Sequence, residues 1–541
     1  MYSRDDLDKD HERRRGIRRR EEPTWRQLAE LFRPDDVDFE LTDRNRDDAE
    51  LFDSTGLYAV DTFQGGIFGQ LTNPANRWFE LTLQDEDRAR YRPVKDWLYR
   101  ATNLLYSSLS PGVSSFYTQV PAWFANLGVF GNGYFSQIEM PGEQSISDRA
   151  HAVGQCYVER DAIGRVSDFD LRYKRTGKQI GNFFERGDYD PLQLREDGSY
   201  IVVHTVCRNR AYKQGRIGAQ NLPYLSHYWS PDLKSLWRPR GYWEMPYHAI
   251  GWNTRDGRDY DTGPGHNARA DAATLNEMER SSLVAHQFAA EPPILVRSET
   301  ALTAADIVPN AVLDGSVSEK GEALVKILER QQDLRGVESK SEQKRNAMRA
   351  AFYYTLMQLV QRPQMTATEF LGFQSEMLKL MAPNLVRIQH NGLSPFMARR
   401  FRIMQRSGQL DAFVGPPPPE LQGRLDIEYV SPLAKVQKQA KAQGVLGWAN
   451  EMGKLAQEYQ QPEILDNVDV DVIASVTADA MTEVPSVARD PRVVAQIRQG
   501  RAAQQQQQAK VEQAGQMADV IATMSHAQQA KTLADNRGAR R

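Results

Sequence analysis

Two helix-like segments separated by a proline constrain the fold of this chain more than any other feature. The apolar run Ala350–Val360 has the composition of a helix, and the polar tetrapeptide Gln361–Gln364 follows it. Pro363 lacks an amide hydrogen and disfavours a helical residue before it, so the first helix must end here. A second periodic segment, Thr366–Arg402, follows, with a kink or break expected at Pro383. The sequence therefore predicts two helices joined by a short basic loop, and each helix needs a partner surface.

The bulk composition limits the class of protein. The 541 residues allow three or four domains, or one large elaborated domain, at about 150 residues per domain. A net charge of −3 with 26% charged residues excludes a coat protein for nucleic acid and a polybasic membrane binder. Two cysteines, Cys156 and Cys207, exclude a disulfide framework. No run of about 18 apolar residues occurs, so we expect no membrane-spanning helix.

The N-terminal arm, residues 1–24, is strongly charged. Six arginines fall between Arg13 and Arg20, and acidic residues flank them on both sides. Opposite charges three or four residues apart pair on a helix, so we predict a self-paired, solvated face rather than a nucleic-acid-binding patch. Thr24 is the predicted N-cap of a short amphipathic helix that ends before Pro34.

Strand and helix patterns alternate over the next part of the chain. Residues 78–83 alternate like a strand, and residues 85–109 are predicted to be helical. Residues 116–140 include a glycine cluster, Gly128–Gly133, which lacks the lysine of a phosphate-binding loop. We interpret this segment as a helix packed on an apolar hairpin, with glycines at the close approaches.

The following segments predict a helical stalk with a β-rich tip. Residues 153–170 are interpreted as a strand and a turn, and residues 171–185 as an amphipathic helix. Short strand-like runs, interrupted by proline and glycine, fill residues 189–260. A long helix follows, and Pro292 and Pro293 must end it.

The C-terminal part of the chain is predominantly helix-compatible after one strand at residues 425–430. Its last segment places four apolar residues at helical spacing on one face: Met517, Val520, Ile521 and Met524. Such a helix has too few apolar positions to be stable alone. A ring of copies packed side by side would supply the missing partner.

No catalytic or metal-binding motif is present. The zincin, Cys-x-x-Cys, nucleophile-elbow and Walker patterns are all absent. Asp256, Asp259 and Asp261 lie in one turn-rich stretch and could hold a divalent ion, as a metal-dependent nuclease would require. Arg255 and Arg258 are interleaved with them, which favours a self-paired, solvated turn. We therefore predict no catalytic residue, no metal and no cofactor, and expect that the protein is not an enzyme.

Several weak motifs in a specific order resemble those of one family. They are Trp25–Pro34, Gly128–Phe135, Tyr260–Pro264 leading into Thr274–Asn276 and ending at Pro292–Pro293, Met365–Glu369, and Glu428–Ala434. The chain resembles the portal, or head-to-tail connector, proteins of short-tailed phages (podoviruses). The segment after residue 440 carries no such motif.

This resemblance implies a ring, usually of twelve subunits, at one vertex of the capsid. Double-stranded DNA would pass through the ring during packaging and ejection, and the large terminase subunit would drive it inward. Major capsid and scaffolding proteins, and later tail adaptor proteins, are the other implied partners. The protein would reside in the virion after assembly in the host cytoplasm, without membrane contact. A non-portal structural or adaptor protein of the virion is the alternative.

The resemblance also implies an α+β, mainly helical portal fold with wing, stem, clip and crown regions and a C-terminal helical barrel. These regions map onto a charged arm at 1–24, wing at 25–164, first stem helix at 165–188, clip at 189–262, second stem helix at 263–293, wing return at 294–348, channel helix–loop–helix at 349–402, closing strand and proline-rich spacer at 403–435, and crown with barrel at 436–541.

The same resemblance makes the proline-containing loop the channel-facing element. Its residues are Gln361, Arg362, Pro363, Gln364, Met365 and Thr366. A conduit must let DNA slide, and each phosphate contact adds affinity, so near-neutral charge with one basic loop suits sliding better than gripping. We expect Arg362 either to face the DNA as part of a positive collar or to pair with a carboxylate of a neighbouring subunit.

Overall fold

A computed structural model describes most of the chain. The described residues are 3–41, 50–85, 88, 91–140, 145–216, 218, 220–255, 257–291, 294–296, 311–314, 317, 320, 322, 334–354, 357, 380–421, 425–430, 432–481 and 491–538. The chain divides into two compact units. The first comprises Met1–Thr82, Arg100–Pro416 and Leu425–Ala434, and the second comprises Leu83–Tyr99, Pro417–Arg424 and Lys435–Arg541.

Helices account for most of the regular structure. The α-helices of the described residues are α1 (Arg4–Arg18), α2 (Glu22–Phe32), α3 (Thr55–Leu71), α4 (Arg92–Leu109), α5 (Phe116–Phe130), α6 (Gly177–Phe183), α7 (Pro264–Ala290), α8 (Leu334–Ala351), α9 (Ser394–Arg406), α10 (Gln409–Phe413), α11 (Pro432–Glu458), α12 (Val470–Met481) and α13 (Pro491–Gly538). Residues 380–388 are also helical, and a π-helical turn, Gln389–Leu393, joins them to α9.

The strands form small, mostly antiparallel sheets. They are β1 (Phe79–Leu83), β2 (Asn132–Met140), β3 (Ser145–His151), β4 (Cys156–Arg160), β5 (Val166–Thr176), β6 (Ser199–Arg208), β7 (Tyr224–Trp229), β8 (Trp237–Tyr242), β9 (Tyr247–Gly251), β10 (Ile294–Val296), β11 (Val312–Asp314) and β12 (Leu425–Tyr429). Strands β4 to β8 form a five-stranded antiparallel sheet in sequence order, and β2 lies between β3 and β9 in a second sheet. Strand β1 pairs with β12, and β10 pairs with β11. The predicted α+β, mainly helical class is confirmed.

The charged N-terminal helix α1 docks on the five-stranded sheet. One face of the helix is buried through Leu7, His11, Arg14 and Arg18. Leu7 packs with Val203 of β6 and Trp229 of β7. The predicted solvated face is therefore wrong for Arg14 and Arg18, whereas the predicted local pairing is present between Arg15 and Glu12 and between Arg18 and Glu22. The partner of Arg14, Asp170, is distant in sequence, and the local charge pattern does not reveal it.

Arg14 forms a buried bidentate ion pair with Asp170 of β5. The Nε–Oδ2 distance is 2.7 Å and the Nη2–Oδ1 distance is 3.0 Å. His11 Nδ1 lies 2.9 Å from the same carboxylate. Burial alone would raise the pKa of Asp170, but Arg14 and His11 lower it to about 2. Each partner therefore makes the burial of the other tolerable.

Arg18 extends this contact to β4. Its Nη1 donates to the carbonyl oxygens of Gly154 at 2.7 Å and Cys156 at 3.2 Å. Its Nε donates to Glu22 at 2.9 Å, and the guanidinium carbon lies 3.7 Å from the centre of the Tyr157 ring. The arginine run thus fastens α1 to two strands rather than to solvent.

The predicted first stem helix at 165–188 is wrong. Most of this segment is strand β5, and the helix is limited to the seven residues of α6. Phe169, Leu171 and Tyr173 alternate with charged residues, which is the period of a strand. Pairing with β4 on one side and β6 on the other satisfies the backbone of β5, so sheet context prevails over helix propensity.

The strands predicted within 189–260 are present as β6 to β9, and the long helix predicted after them is α7. With 27 residues, α7 is about 40 Å long at about 1.5 Å per residue. The predicted N-cap at Thr24 is wrong, because α2 begins two residues earlier, after Glu21. The Thr24 hydroxyl instead accepts a hydrogen bond of 3.1 Å from Arg269 of α7.

The predicted packing of a helix on a glycine-rich hairpin is confirmed by α5 and the β2–β3 pair. Gly131 ends α5 with φ +73°, a conformation that favours glycine. A Cβ on Gly133 would lie 2.7 Å from the Trp123 ring, and one on Gly128 would lie 2.6 Å from the Phe63 ring. These glycines therefore allow close approaches between buried aromatic side chains and backbone.

The second unit includes most of α11 together with α12 and α13. Arg498 of α13 and Asp471 of α12 form a bidentate surface ion pair with two distances of 2.7 Å. Five large apolar side chains among the described residues of α13 are exposed: Val493, Met517, Val520, Ile521 and Met524. Within the described residues, no helix has the length and apolar character needed to span a bilayer.

Candidate functional site: the predicted channel segment

The predicted tunnel-loop residues, Gln361, Arg362, Pro363, Gln364, Met365 and Thr366, lie outside the described residues. The structure describes the two flanks of that segment, which are α8 with the residues just after it, and the helical chain from residue 380 to α9. The geometry of these flanks shows how firmly the two ends of the segment are held.

On the N-terminal flank, α8 is held by ion pairs to its neighbours. Lys344 Nζ lies 2.7 Å from Asp271 of α7. Arg345 bridges two carboxylates, Asp53 at 3.0 Å and Glu279 of α7 at 2.8 Å. Partial burial lowers the pKa of Arg345, but the two carboxylates raise it, and the pKa ends above its ordinary value. These contacts dock α8 along α7.

The chain leaves α8 through a strained residue. The helix ends at Ala351, so the predicted helix-like run Ala350–Val360 is interrupted by a turn at Phe352 and Tyr353, while Tyr354 and Met357 are helical. Tyr353 has φ +56°, which is unfavourable for a bulky side chain and costs about 1–3 kcal/mol. Phe352 is fully buried, with its ring 5.3 Å from Phe32 and 6.0 Å from Phe63. This aromatic packing offsets the strain.

Met357 gives this flank one more anchor. A Cβ on Gly66 would lie 2.4 Å from Met357 Sδ, so the methionine packs directly on the backbone of α3. The glycine in α3 is therefore explained by a close approach of the channel segment. Substituting it would displace the Met357 side chain.

On the C-terminal flank, the predicted break at Pro383 is wrong. Residues 380–388 are helical through Pro383, and the irregularity is the π-helical turn Gln389–Leu393. Gly392 lies in this turn, and a Cβ there would be 2.5 Å from Ile250 and 3.0 Å from Trp123. The widened turn thus fits the helix against β9 and α5.

Two adjacent arginines of α9 fasten this flank to the second sheet. Arg399 is buried, and its guanidinium donates to Glu139 at 3.1 Å and to the Glu244 carbonyl at 2.9 Å. Burial lowers the pKa of Arg399, and the two carboxylates oppose this effect. Arg400 pairs with the buried Asp148 at 2.7 Å. Both guanidinium groups are therefore committed to the fold of one subunit.

Sequence reasoning missed the role of Arg399 and Arg400. The available signal was their position among the apolar residues Phe396, Met397 and Ile403, which are buried on the same helix. An arginine pair within a buried helix requires carboxylate partners from elsewhere in the chain. The sequence does not specify which carboxylates these are.

The acidic stretch considered for metal binding forms a structural ion pair instead. Asp256 lies outside the described residues, but Asp261 Oδ2 lies 2.6 Å from Arg160 of β4, and Asp259 Oδ1 accepts the Arg160 amide at 2.9 Å. Burial raises the pKa of Asp261, and Arg160 only partly offsets this. The predicted pairing with Arg255 and Arg258 in a solvated turn is wrong for Asp261. Among the described residues, no group of three or more His, Cys, Asp or Glu side chains could hold a metal ion.

The comparisons with known proteins cover most of the chain. A family described as bacteriophage head to tail connecting protein matches residues 4–486. The portal protein of Salmonella phage epsilon15 is 28% identical over 535 residues, covering 95% of this chain and 92% of the relative. The probable portal protein of Bordetella phage BPP-1 is 25% identical over 516 residues, covering 92% of this chain and 91% of the relative.

Among solved structures, a chain of the native gene transfer agent particle aligns with 13% identity and a TM-score of 0.29, covering 76% of this chain and 86% of that chain. A likeness at this level carries no argument about fold or function.

Proposed function

The chain belongs to the bacteriophage head-to-tail connecting protein family, and on this premise we propose that it is a portal protein. It forms a ring at one vertex of the capsid and acts as the conduit for genome DNA during packaging and ejection. The observation that carries this proposal is the family match over residues 4–486, together with two relatives of portal type aligned along almost their entire length.

The subunit number and the partners follow from the same premise. We propose a ring of twelve subunits that meets the major capsid and scaffolding proteins. The large terminase subunit docks on it during packaging, and tail adaptor proteins dock afterwards. The protein assembles in the host cytoplasm and remains in the virion. The role proposed here is structural, and ATP hydrolysis belongs to the terminase.

The regional assignment is adjusted to the observed elements. In this proposal α7 is a stem helix, and the strands within 189–262 form the clip. The other stem segment consists of β5 and α6 rather than one long helix. The α5–hairpin unit belongs to the wing, and α11 to α13 form the crown and barrel.

The exposed apolar stripe of α13 supports assembly into a ring. Met517, Val520, Ile521 and Met524 recur at helical spacing and are each more than half exposed. The helix has 48 residues and is about 72 Å long at about 1.5 Å per residue, and helices in proteins gain most of their stability from packing of an apolar face. Copies of α13 packed side by side in a barrel would cover the stripe.

Imaging of the purified protein tests this function directly. We expect negative-stain images to show rings with an axial hole and, in averages along the axis, twelve-fold symmetry. Monomers or closed particles without a hole would contradict the portal function and favour the non-portal adaptor alternative. Incubation with plasmid DNA and Mg²⁺ tests the nuclease alternative, and we expect no cleavage.

The role of Arg362 is a separate proposal. We propose that the tunnel loop Gln361–Thr366 lines the channel and that twelve copies of Arg362 form a positive collar around the DNA. The firmly held flanks, α8 and α9, support this idea because they limit where the loop can project. Arg362→Glu should reduce DNA packaged per assembled head, with Arg362→Gln intermediate. Normal packaging and retention in the Glu variant would contradict the collar.

A further inference from the structure

The connection between β6 and β7 carries four cations and no acid. We call residues 208–216, 218 and 220–223 the basic loop, and its cations are Arg208, Arg210, Lys213 and Arg216. All four side chains are exposed. In the described part of the chain, none of the four has an ion pair or a side-chain hydrogen bond. This is a net charge of +4 that the subunit does not neutralise within the loop.

Side-chain amides hold this loop in a defined conformation. Asn209 Nδ2 donates to the carbonyl oxygen of Leu222 at 2.9 Å, which closes the base of the loop. Asn221 Nδ2 donates to the carbonyl oxygens of Lys213 at 2.8 Å and Arg216 at 2.7 Å. The cations are therefore presented by a braced backbone, and their own side chains contribute nothing to the bracing.

One segment at the opposite end of the same sheet is acidic. Residues 185–198, which precede β6, contain five acidic and two basic residues. The ten residues of β6 separate this segment from the basic loop by about 30 Å at about 3.3 Å per residue. Two acids on the neighbouring strands already have partners: Glu159 pairs with Arg13, and Asp168 accepts a hydrogen bond from Ser167. Neither the acidic segment nor these two acids therefore neutralises the basic loop.

The chemistry of the basic loop fits phosphate better than a protein surface. Protein interfaces concentrate their binding energy in exposed aromatic and large apolar side chains. No described residue of the basic loop itself is an exposed large apolar side chain, although Ile163 and Trp243 are exposed at the same end of the sheet. Closely spaced Arg and Lys side chains are typical of contacts to a nucleic-acid backbone.

We propose that the basic loop binds the phosphate backbone of double-stranded DNA. This inference rests on the proposed function, because that function brings duplex DNA to the protein. It adds a second DNA-contacting surface, separate from the tunnel loop and located at one end of the five-stranded sheet. The contacts are independent of base sequence, since phosphates are identical along the duplex.

Anisotropy measurements with a labelled 30-base-pair duplex and the full-length protein test the proposal. The loop variant carries Arg208→Gln, Arg210→Gln, Lys213→Gln and Arg216→Gln together. We expect it to bind at least tenfold more weakly at 50 mM salt. The slope of log K against log salt should fall by as much as about 3.6 per bound subunit, or about 0.9 for each lost phosphate contact. Two duplexes of unrelated sequence should give the same result.

A matched variant controls for the change in net charge. Lys178→Gln, Arg186→Gln, Arg195→Gln and Lys234→Gln remove four exposed cations from the opposite end of the sheet. This variant should bind DNA within twofold of the wild type. Equal weakening in both variants would overturn the assignment to the loop, since it would reflect net charge alone.

Two further outcomes separate the remaining possibilities. Unchanged DNA binding in the loop variant, with reduced binding to poly-glutamate, would overturn the DNA proposal and identify an acidic protein as the partner. Negative-stain images of each protein separate this inference from the proposed function. Rings that bind DNA equally well with and without the four cations would overturn the inference and leave the portal function intact.

Discussion

Two arginine-rich stretches lie on the same five-stranded sheet, and the structure uses them in opposite ways. In helix α1, Arg14 is buried and paired with Asp170, and Arg18 is buried against the backbone carbonyls of Gly154 and Cys156. In the basic loop, the four cations are exposed and have no partner among the described residues. The first stretch stabilises the subunit, whereas the second is available to a ligand.

The difference shows that local charge density does not identify a binding surface. Acidic residues surround the arginines of α1 in sequence, yet the buried arginine Arg14 pairs with a carboxylate 156 residues away. The basic loop has no nearby acid, so its cations have no local means of neutralisation. What matters is whether a cation is desolvated and paired, because a buried pair and an exposed cation respond differently to substitution.

Removing a buried guanidinium tests the α1 side of this comparison and has the largest expected effect. Arg14→Ala leaves the buried Asp170 without its bidentate partner. We expect the free energy of unfolding to fall by about 3–5 kcal/mol, because an uncompensated buried charge remains. Urea unfolding at fixed protein concentration measures the change, since ring assembly would otherwise shift the midpoint.

Arg15→Ala is the matched control for that prediction. Arg15 is partly exposed and pairs with Glu12 at 3.0 Å within the same helix. Surface pairs of this kind contribute at most about 1 kcal/mol. In the double variant Arg14→Ala/Asp170→Ala, the loss in the free energy of unfolding should be smaller than the sum of the losses in the two single variants. Equal losses for Arg14→Ala and Arg15→Ala would show that the buried pair has no special role.

The contrast also shows what the sequence could predict. Periodicity and proline placement were sufficient for α7, and the glycine pattern was sufficient for the α5–hairpin packing, because these signals are local. The burial of α1 depends on Asp170 of β5, and the sequence of β5 is also compatible with a helix. Only the pairing of β5 with β4 and β6 decides between strand and helix.

The tunnel loop stays a prediction, because its residues lie outside the described part of the chain. The proline in the tetrapeptide Gln361–Gln364 predicts a loop there, since proline disfavours a helix interior. The anchors on either side are tertiary: Phe352 packs on Phe32, and Arg399 pairs with Glu139 and Glu244. Contacts between residues this far apart in sequence leave no trace in a local pattern.

One buried histidine of the five-stranded sheet, His204 of β6, should make the stability of the subunit depend on pH. Burial lowers the pKa of His204 to about 3, while its Nδ1 lies 2.5 Å from the Tyr247 hydroxyl and its Nε2 lies 2.8 Å from Ser226 Oγ. In the unfolded chain a histidine titrates near pH 6.5. The unfolded state therefore takes up this proton first as the pH falls below about 6.5, and the folded state follows only near pH 3.

We expect the contribution of neutral, buried His204 to the free energy of unfolding to be complete above about pH 6.5. Below that pH it should fall by about 1.4 kcal/mol per pH unit. His204→Gln should remove that contribution from the slope between pH 6.5 and 5 in urea unfolding series. His286→Gln, at an exposed position of α7, should leave the slope unchanged. Parallel curves for the wild type and the His204 variant would show that His204 does not contribute to the pH dependence.

Neutralising the basic loop should have the smallest effect on stability. The four cations make no contact in the described part of the chain, so their joint replacement by glutamine should change the unfolding free energy by no more than about 0.5 kcal/mol. Asn221→Ala in the same loop leaves the carbonyl oxygens of Lys213 and Arg216 without their donor. Because the two hydrogen bonds of Asn221 are exposed and water can replace them, the loss for Asn221→Ala should be about 0.5–1.5 kcal/mol. Both values come from the same urea series. A loss above about 1 kcal/mol in the glutamine variant would mean that the cations brace the loop, and the contrast with α1 would then disappear.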